Sequence, residues 1–155
     1  MDFRITGLSP ERFRPFFGLS DVELAWHGVV RVLVDEKPGY PDRIELRDAE
    51  PGESVLLVNF THLPVRTAYR SSYAVYVLEG SESRYDRRNE VPEVFRPRML
   101  SLRAFDSNDM LCDADIAAGT AVECLIERLL ANPRTAYIHA HYAKPGCYAA
   151  RIERA

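Results

Sequence analysis

Residues 120–152 read TAVECLIERLLANPRTAYIHAHYAKPGCYAARI, and the change of period inside this stretch decides the expected fold. Its first half places Val122, Leu125, Ile126, Leu129 and Leu130 three and four residues apart, the mark of a helix with one apolar stripe. Thr120 and Glu123 fit a capping box, in which each side chain satisfies a backbone N–H at the helix start. The spacing predicts one long amphipathic helix over about 119–131, stopped by Asn132-Pro133. Beyond that stop the pattern turns to β: Tyr137 to Tyr142 and Cys147 to Ile152 flank Lys144-Pro145-Gly146, so a closing hairpin is expected. The apolar stripe of the helix then needs a sheet to lie on.

Upstream, Val29 to Val34, Val55 to Val58, Ala74 to Leu78 and Met99 to Phe105 read as strands. Asp106 to Asp109 turns the chain towards a partner strand at Met110 to Ile116. Arg43 to Arg47 alternates apolar and polar, and a strand with one wet face is expected there too. Phe3 to Ile5 opens the chain as a short strand. Two short helices follow, one at Ser9-Pro10-Glu11 with proline in the first turn, and one from the Ser20/Glu23 capping box to Trp26. The expected class is α+β: a mostly antiparallel or mixed sheet, with the long helix and the short N-terminal helices packed on it.

The chain has 155 residues, of which 46% are hydrophobic and 28% charged. A single domain spanning residues 1–155 with one core is expected from these values. A net charge of −3 argues against nucleic acid, whose phosphates call for a concentrated basic face. The arginines at 84, 87, 88, 96 and 98 are interleaved with Asp86, Glu90 and Glu93, a pattern suited to local ion pairs. Three cysteines without a CxxC pair suit a reducing compartment. With neither an apolar signal-peptide core nor a run of ~20 apolar residues, a cytoplasmic protein without a membrane partner is expected.

The chemistry concentrates at His139-Ala140-His141. Residues two apart on a strand share a face, with their Cα atoms about 6.5 Å apart, so two imidazoles there can share a divalent metal, zinc or iron. His62, at the mouth of a long loop read over Thr61 to Ser72, is the candidate third ligand. Tyr69 and Arg70 of that loop, together with Tyr148 and Arg151 of the hairpin, are candidates for holding a small anionic ligand. Hairpin parity with an even-numbered loop sets His141 on the side of Tyr148 and puts Cys147 and Arg151 on the opposite face; a bulge reverses this. Cys147 is the candidate nucleophile, and His139 and His141 are candidate ligands or acid–base groups. Cys112 and Cys124 read as inert.

The opening Phe3 to Leu8, the turn Asp48 to Glu53 and the string from His139 to Arg151 carry a resemblance. The chain resembles, nearly end to end, the bacterial family called domain of unknown function 1203. The most specific match is His139-x-His141 followed by Gly146-Cys147-Tyr148 and Arg151. This implies a small bacterial protein with no established activity. The resemblance also implies a cysteine before the arginine matching Arg43, where this chain has Asp42. Two functional readings stand: a small-molecule site, metal-assisted or not, around the His-x-His hairpin, and a non-enzymatic binding or homodimeric module with an aromatic surface of Tyr73, Tyr76 and Tyr142.

Overall fold

Every strand pairing in the computed structural model, which describes residues 1–155, is antiparallel. In chain order the elements are β1 (Phe3–Thr6), α1 (Asp21–Trp26), β2 (Val30–Leu33), β3 (Ser54–Leu63), β4 (Ser71–Leu78) and β5 (Asp86–Arg88). They continue with β6 (Met99–Phe105), β7 (Leu111–Ala118), α2 (Val122–Ala131), β8 (Tyr137–Tyr142) and β9 (Tyr148–Arg154). Two sheets result, one of six strands in the order β5-β1-β9-β8-β6-β7 and one of three in the order β2-β3-β4.

These observations overturn the expected α+β class. Helix is confined to α2, ten residues long, and α1, six residues long, beside short 3-10 turns. The helix expected over 119–131 is shorter, and the N-terminal helices do not pack on it. Leu24 of α1 and Phe13 instead share a cluster with Leu56, Val58, Val75 and Val77 of the three-stranded sheet. The reason is competition for apolar surface: the six-stranded sheet offers one face to α2, and the N-terminal segment covers the other sheet. Proline at the start of Pro10–Arg12 suits a helix opening, but that turn stays 3-10 and ends after three residues.

The two capping boxes met different fates. At Ser20 both bonds are made: the hydroxyl accepts from the Glu23 N–H at 3.2 Å, and the Glu23 carboxylate accepts from the Ser20 N–H at 2.8 Å. Ser20→Ala is therefore expected to cost about 1 kcal/mol, read as a lower urea midpoint at unchanged slope; an unmoved midpoint would show that α1 does not depend on its cap. At α2 the cap position is Ala121, with no side-chain bond. Glu123 turns away to pair with Arg96 at 2.6 Å.

On α2, Val122, Leu125, Ile126, Leu129 and Leu130 are buried against one face of the six-stranded sheet, where they meet Leu100, Leu102, Ala104, Ile138, Ala140 and Ile152. Alternation along β6 and β8 sends the intervening residues to the other face. All six residues of β8, an interior strand, are buried. Its second face, carrying Tyr137, His139 and His141, has no helix over it; the end of β3 lies there instead.

Arg43 to Arg47 is not a strand. The buried Asp42 carboxylate accepts the N–H groups of Ile44 at 3.1 Å and Leu78 at 2.7 Å, and that of Glu45, removing donors a ladder would need. Leu46 adopts a positive φ of 52°, and both Ile44 and Leu46 are buried. The basic run upstream of β6 is neutralised mainly by distant acids rather than by the interleaved ones: Arg96 meets Glu123, Arg98 meets Asp48 and Arg88 meets Asp2, while within the run Arg84 reaches Asp86 at 3.8 Å. No helix is long and apolar enough to cross a membrane.

Candidate functional site

The loop read over Thr61 to Ser72 is shorter than expected, because β3 runs on through His62 to Leu63. Its register against β4 shifts between Phe60 and Leu63, and His62 lies inside that irregularity. A ladder break of this kind re-aims a side chain. The His62 ring stacks on Tyr148, with centroids 5.1 Å apart and planes 10° apart, and lies 5.1 Å from the ring of His141 and 5.9 Å from that of His139. One nitrogen from each of His62, His139 and His141 lies within 4.8 Å of the others.

Electrostatics makes all three neutral at pH 7. Burial, followed by the repulsion of His141 and His62, pushes His139 down to about 2. Burial pushes His141 down to about 3, opposed by its bond to the Gly146 carbonyl, and burial followed by Arg103 pushes His62 down to about 4. Neutral imidazoles are the form that binds a metal ion. The Nδ1–H of His141 donates to the Gly146 carbonyl at 3.0 Å, which leaves its Nε2 as the free lone pair. The Nδ1 atoms of His62 and His139 are buried with no hydrogen-bond partner. Such orphans are rare in folded proteins, since each forgoes its hydrogen bonds to water.

The hairpin turn explains the neighbours. Ala143 to Gly146 forms an even loop, with the Gly146 N–H donating to the Tyr142 carbonyl. Cys147 thus falls on the opposite face, as parity requires. A bulge then skips Ala149: His141 pairs with Tyr148, but His139 pairs with Arg151. The bulge corrects the parity expectation for Arg151, which stands on the histidine side with its guanidinium over the Tyr137 ring at 4.1 Å.

Across the sheet the row continues to Arg103, the partner of His139 on β6. A small cavity of about 220 Å³ opens here, lined by His62, His139, His141, Arg103, Tyr69 and Phe105 among others. On the far side of His62 a second cavity, of about 240 Å³, reaches Arg12, Arg84, Tyr148 and Arg151.

Among the other expected site residues, Arg70 is exposed and lines neither cavity. Cys147 is buried and lines a separate cavity of about 560 Å³, its sulfur accepting from Arg43 Nη2 at 2.8 Å. It therefore does not share a site with the histidines. Arg43 also donates to the carbonyls of Tyr148 and Pro41, which anchors residues 41–43 to the closing hairpin. The expected aromatic surface is broken, because Tyr142 is buried, with the guanidiniums of Arg43 and Arg98 over its ring at 5.0 and 5.4 Å. Cys112 is half-buried, and Cys124 is exposed.

Arg103 was missed in the sequence. The available signal was its charge inside a mostly apolar strand, Met99 to Phe105, where Ser101 is the other polar residue and falls on the same face at period two.

A family model described as "Protein of unknown function (DUF1203)" matches residues 39–154. No curated protein and no solved structure matches the chain.

Proposed function

Starting from the fact that the chain belongs to the DUF1203 family, whose matched span includes all three clustered histidines, we propose that His62, His139 and His141 hold a divalent transition metal that acts on a small molecule. The observation that carries this reading is the convergence of three neutral imidazole nitrogens within 4.8 Å, two of the rings having a buried Nδ1 without a protein partner. A tetrahedral zinc ion with Zn–N bonds of about 2.0–2.1 Å brings its nitrogens to roughly 3.3 Å from one another. Modest side-chain rotation closes the remaining distance.

Three protein ligands leave a fourth position for water or substrate, the arrangement of a catalytic rather than a structural site. Nitrogen ligands suit zinc and iron alike. A zinc ion so held lowers the pKa of its bound water and polarises a carbonyl. The ligands come from separate elements, a bulged strand end and a rigid interior strand. Second-sphere support exists for His141 in the Gly146 carbonyl.

The test is the metal content of tag-free protein, measured by elemental mass spectrometry beside a His141→Ala variant. About one equivalent of zinc or iron, lost in the variant, is the expected result. Absence of metal after reconstitution with either ion would overturn the reading.

A further inference from the structure

We propose that Arg103 and the metal held by the three histidines jointly bind the carboxylate of a compact, partly apolar organic acid, so that anion and metal bind cooperatively. This rests on the reading of His62, His139 and His141 as metal ligands. The observation behind it is an arginine without a counter-charge. Arg31, Arg47, Arg96 and Arg98 are all half-buried, and each meets a carboxylate at 2.6 to 2.8 Å. Arg103 is half-buried as well, yet its one contact is a long bond to the Ser101 hydroxyl at 3.5 Å.

No aspartate or glutamate lines the cavity that Arg103 shares with the histidines. As the direct cross-strand neighbour of His139, Arg103 has its Cβ roughly 5 Å from that of the histidine. Three neutral ligands leave a metal ion with its full double charge, and a guanidinium beside it repels it. An anion set between them removes that repulsion and joins both groups. A carboxylate does so with one oxygen towards the metal and the other, or both, on the guanidinium N–H fork.

The rest of the cavity gives the ligand its second property. Leu63, Phe105 and Leu111 form apolar walls, with Tyr69 at the edge and Ser71 as the other polar side chain. At about 220 Å³ the space is below the usual 300–1,000 Å³ range of small-molecule pockets, so the acid is small.

Linkage makes the proposal measurable, because an anion that raises metal affinity must have its own affinity raised equally by the metal. Zinc affinity of tag-free protein is measured by competition with a chromophoric chelator, with benzoate as the anionic probe and benzamide as its neutral counterpart. For the native chain, saturating benzoate is expected to tighten zinc binding about tenfold, within the usual range of coupling between sites, while benzamide leaves it unchanged. Arg103→Met is expected to bind zinc more tightly than the native chain without benzoate, since the repulsion is gone, and to show no benzoate effect. Tighter binding by the variant also certifies that it folds. Zinc binding that ignores benzoate, or that responds equally to benzamide, overturns the proposal and leaves the metal site standing. Failure of both chains to bind either zinc or ferrous iron removes the metal reading and the proposal with it.

Discussion

His139→Leu is expected to abolish the stabilisation that zinc confers while leaving the metal-free protein at least as stable as the native chain. His139 is 3% exposed, and its ring sits against Tyr148, Tyr137 and Phe105 at 4.9, 5.4 and 5.8 Å. In the metal-free protein its Nδ1 is buried without a partner, a desolvation cost of about 1–3 kcal/mol. Leucine fits an aromatic box and carries no such cost. If the three histidines hold zinc as proposed, the native chain with zinc at a hundred times its dissociation constant is expected to gain about 2.7 kcal/mol of stability. Loss of a ligand costs more affinity than the roughly 10–100-fold that follows loss of an outer-sphere partner, so the variant should gain almost nothing. Thermal unfolding with and without zinc reads both numbers. A variant that loses about 2 kcal/mol or more without metal would mark His139 as an ordinary core residue and sink the prediction.

Gly119→Ala is expected to destabilise the protein by about 4 kcal/mol or more, near the upper end for single substitutions. A Cβ at this position would lie 1.7 Å from the carbonyl oxygen of Phe95, 2.5 Å from its carbonyl carbon and 3.0 Å from Cα of Arg96. All three are backbone atoms and cannot rotate away. The Gly119 N–H donates to the Arg98 carbonyl at 2.8 Å, and its own carbonyl accepts from Arg96 at 2.9 Å, so the segment is held on both sides. Relief requires moving either the 95–98 turn, with Phe95 in the core, or the start of α2. At about 2–4 °C per kcal/mol for a chain of this size, a fall in Tm of roughly 10 °C is expected. Gly18→Ala is the control: it has open space around it and a positive φ of 77°, and it should cost only about 1 kcal/mol. Equal effects at the two positions would show that the 95–119 approach is not tight in solution.

The two capping boxes show which sequence signals can be read locally. Ser20 and Glu23 satisfy one another within a single turn, so their pattern is sufficient. Thr120 and Glu123 carry the same pattern, but Arg96, 27 residues earlier, claims the glutamate. Likewise the alternation of Arg43 to Arg47 reads as a strand until Asp42, itself fully buried, takes the backbone donors. The α+β expectation failed for a related reason. Propensity and caps announce helices one at a time, but the surface each one covers is allotted only when the sheets form.

At the site, the sequence determined the pairing of His139 and His141, because period two is a property of any strand and the run from Tyr137 to Tyr142 could hardly be another element. For Cys147 it set only a condition, an even loop, and the structure met that condition with Ala143 to Gly146. Tertiary structure decided the rest. A bulge at Ala149, invisible in residue types, moved Arg151 to the histidine side; strand order put Arg103 beside His139; and the irregular end of β3 carried His62 across from the other sheet. The last two depend on contacts between residues tens of positions apart, whose energies come from burial and backbone pairing rather than local preference. A sequence states which faces its strands present, and packing determines which of those faces meet.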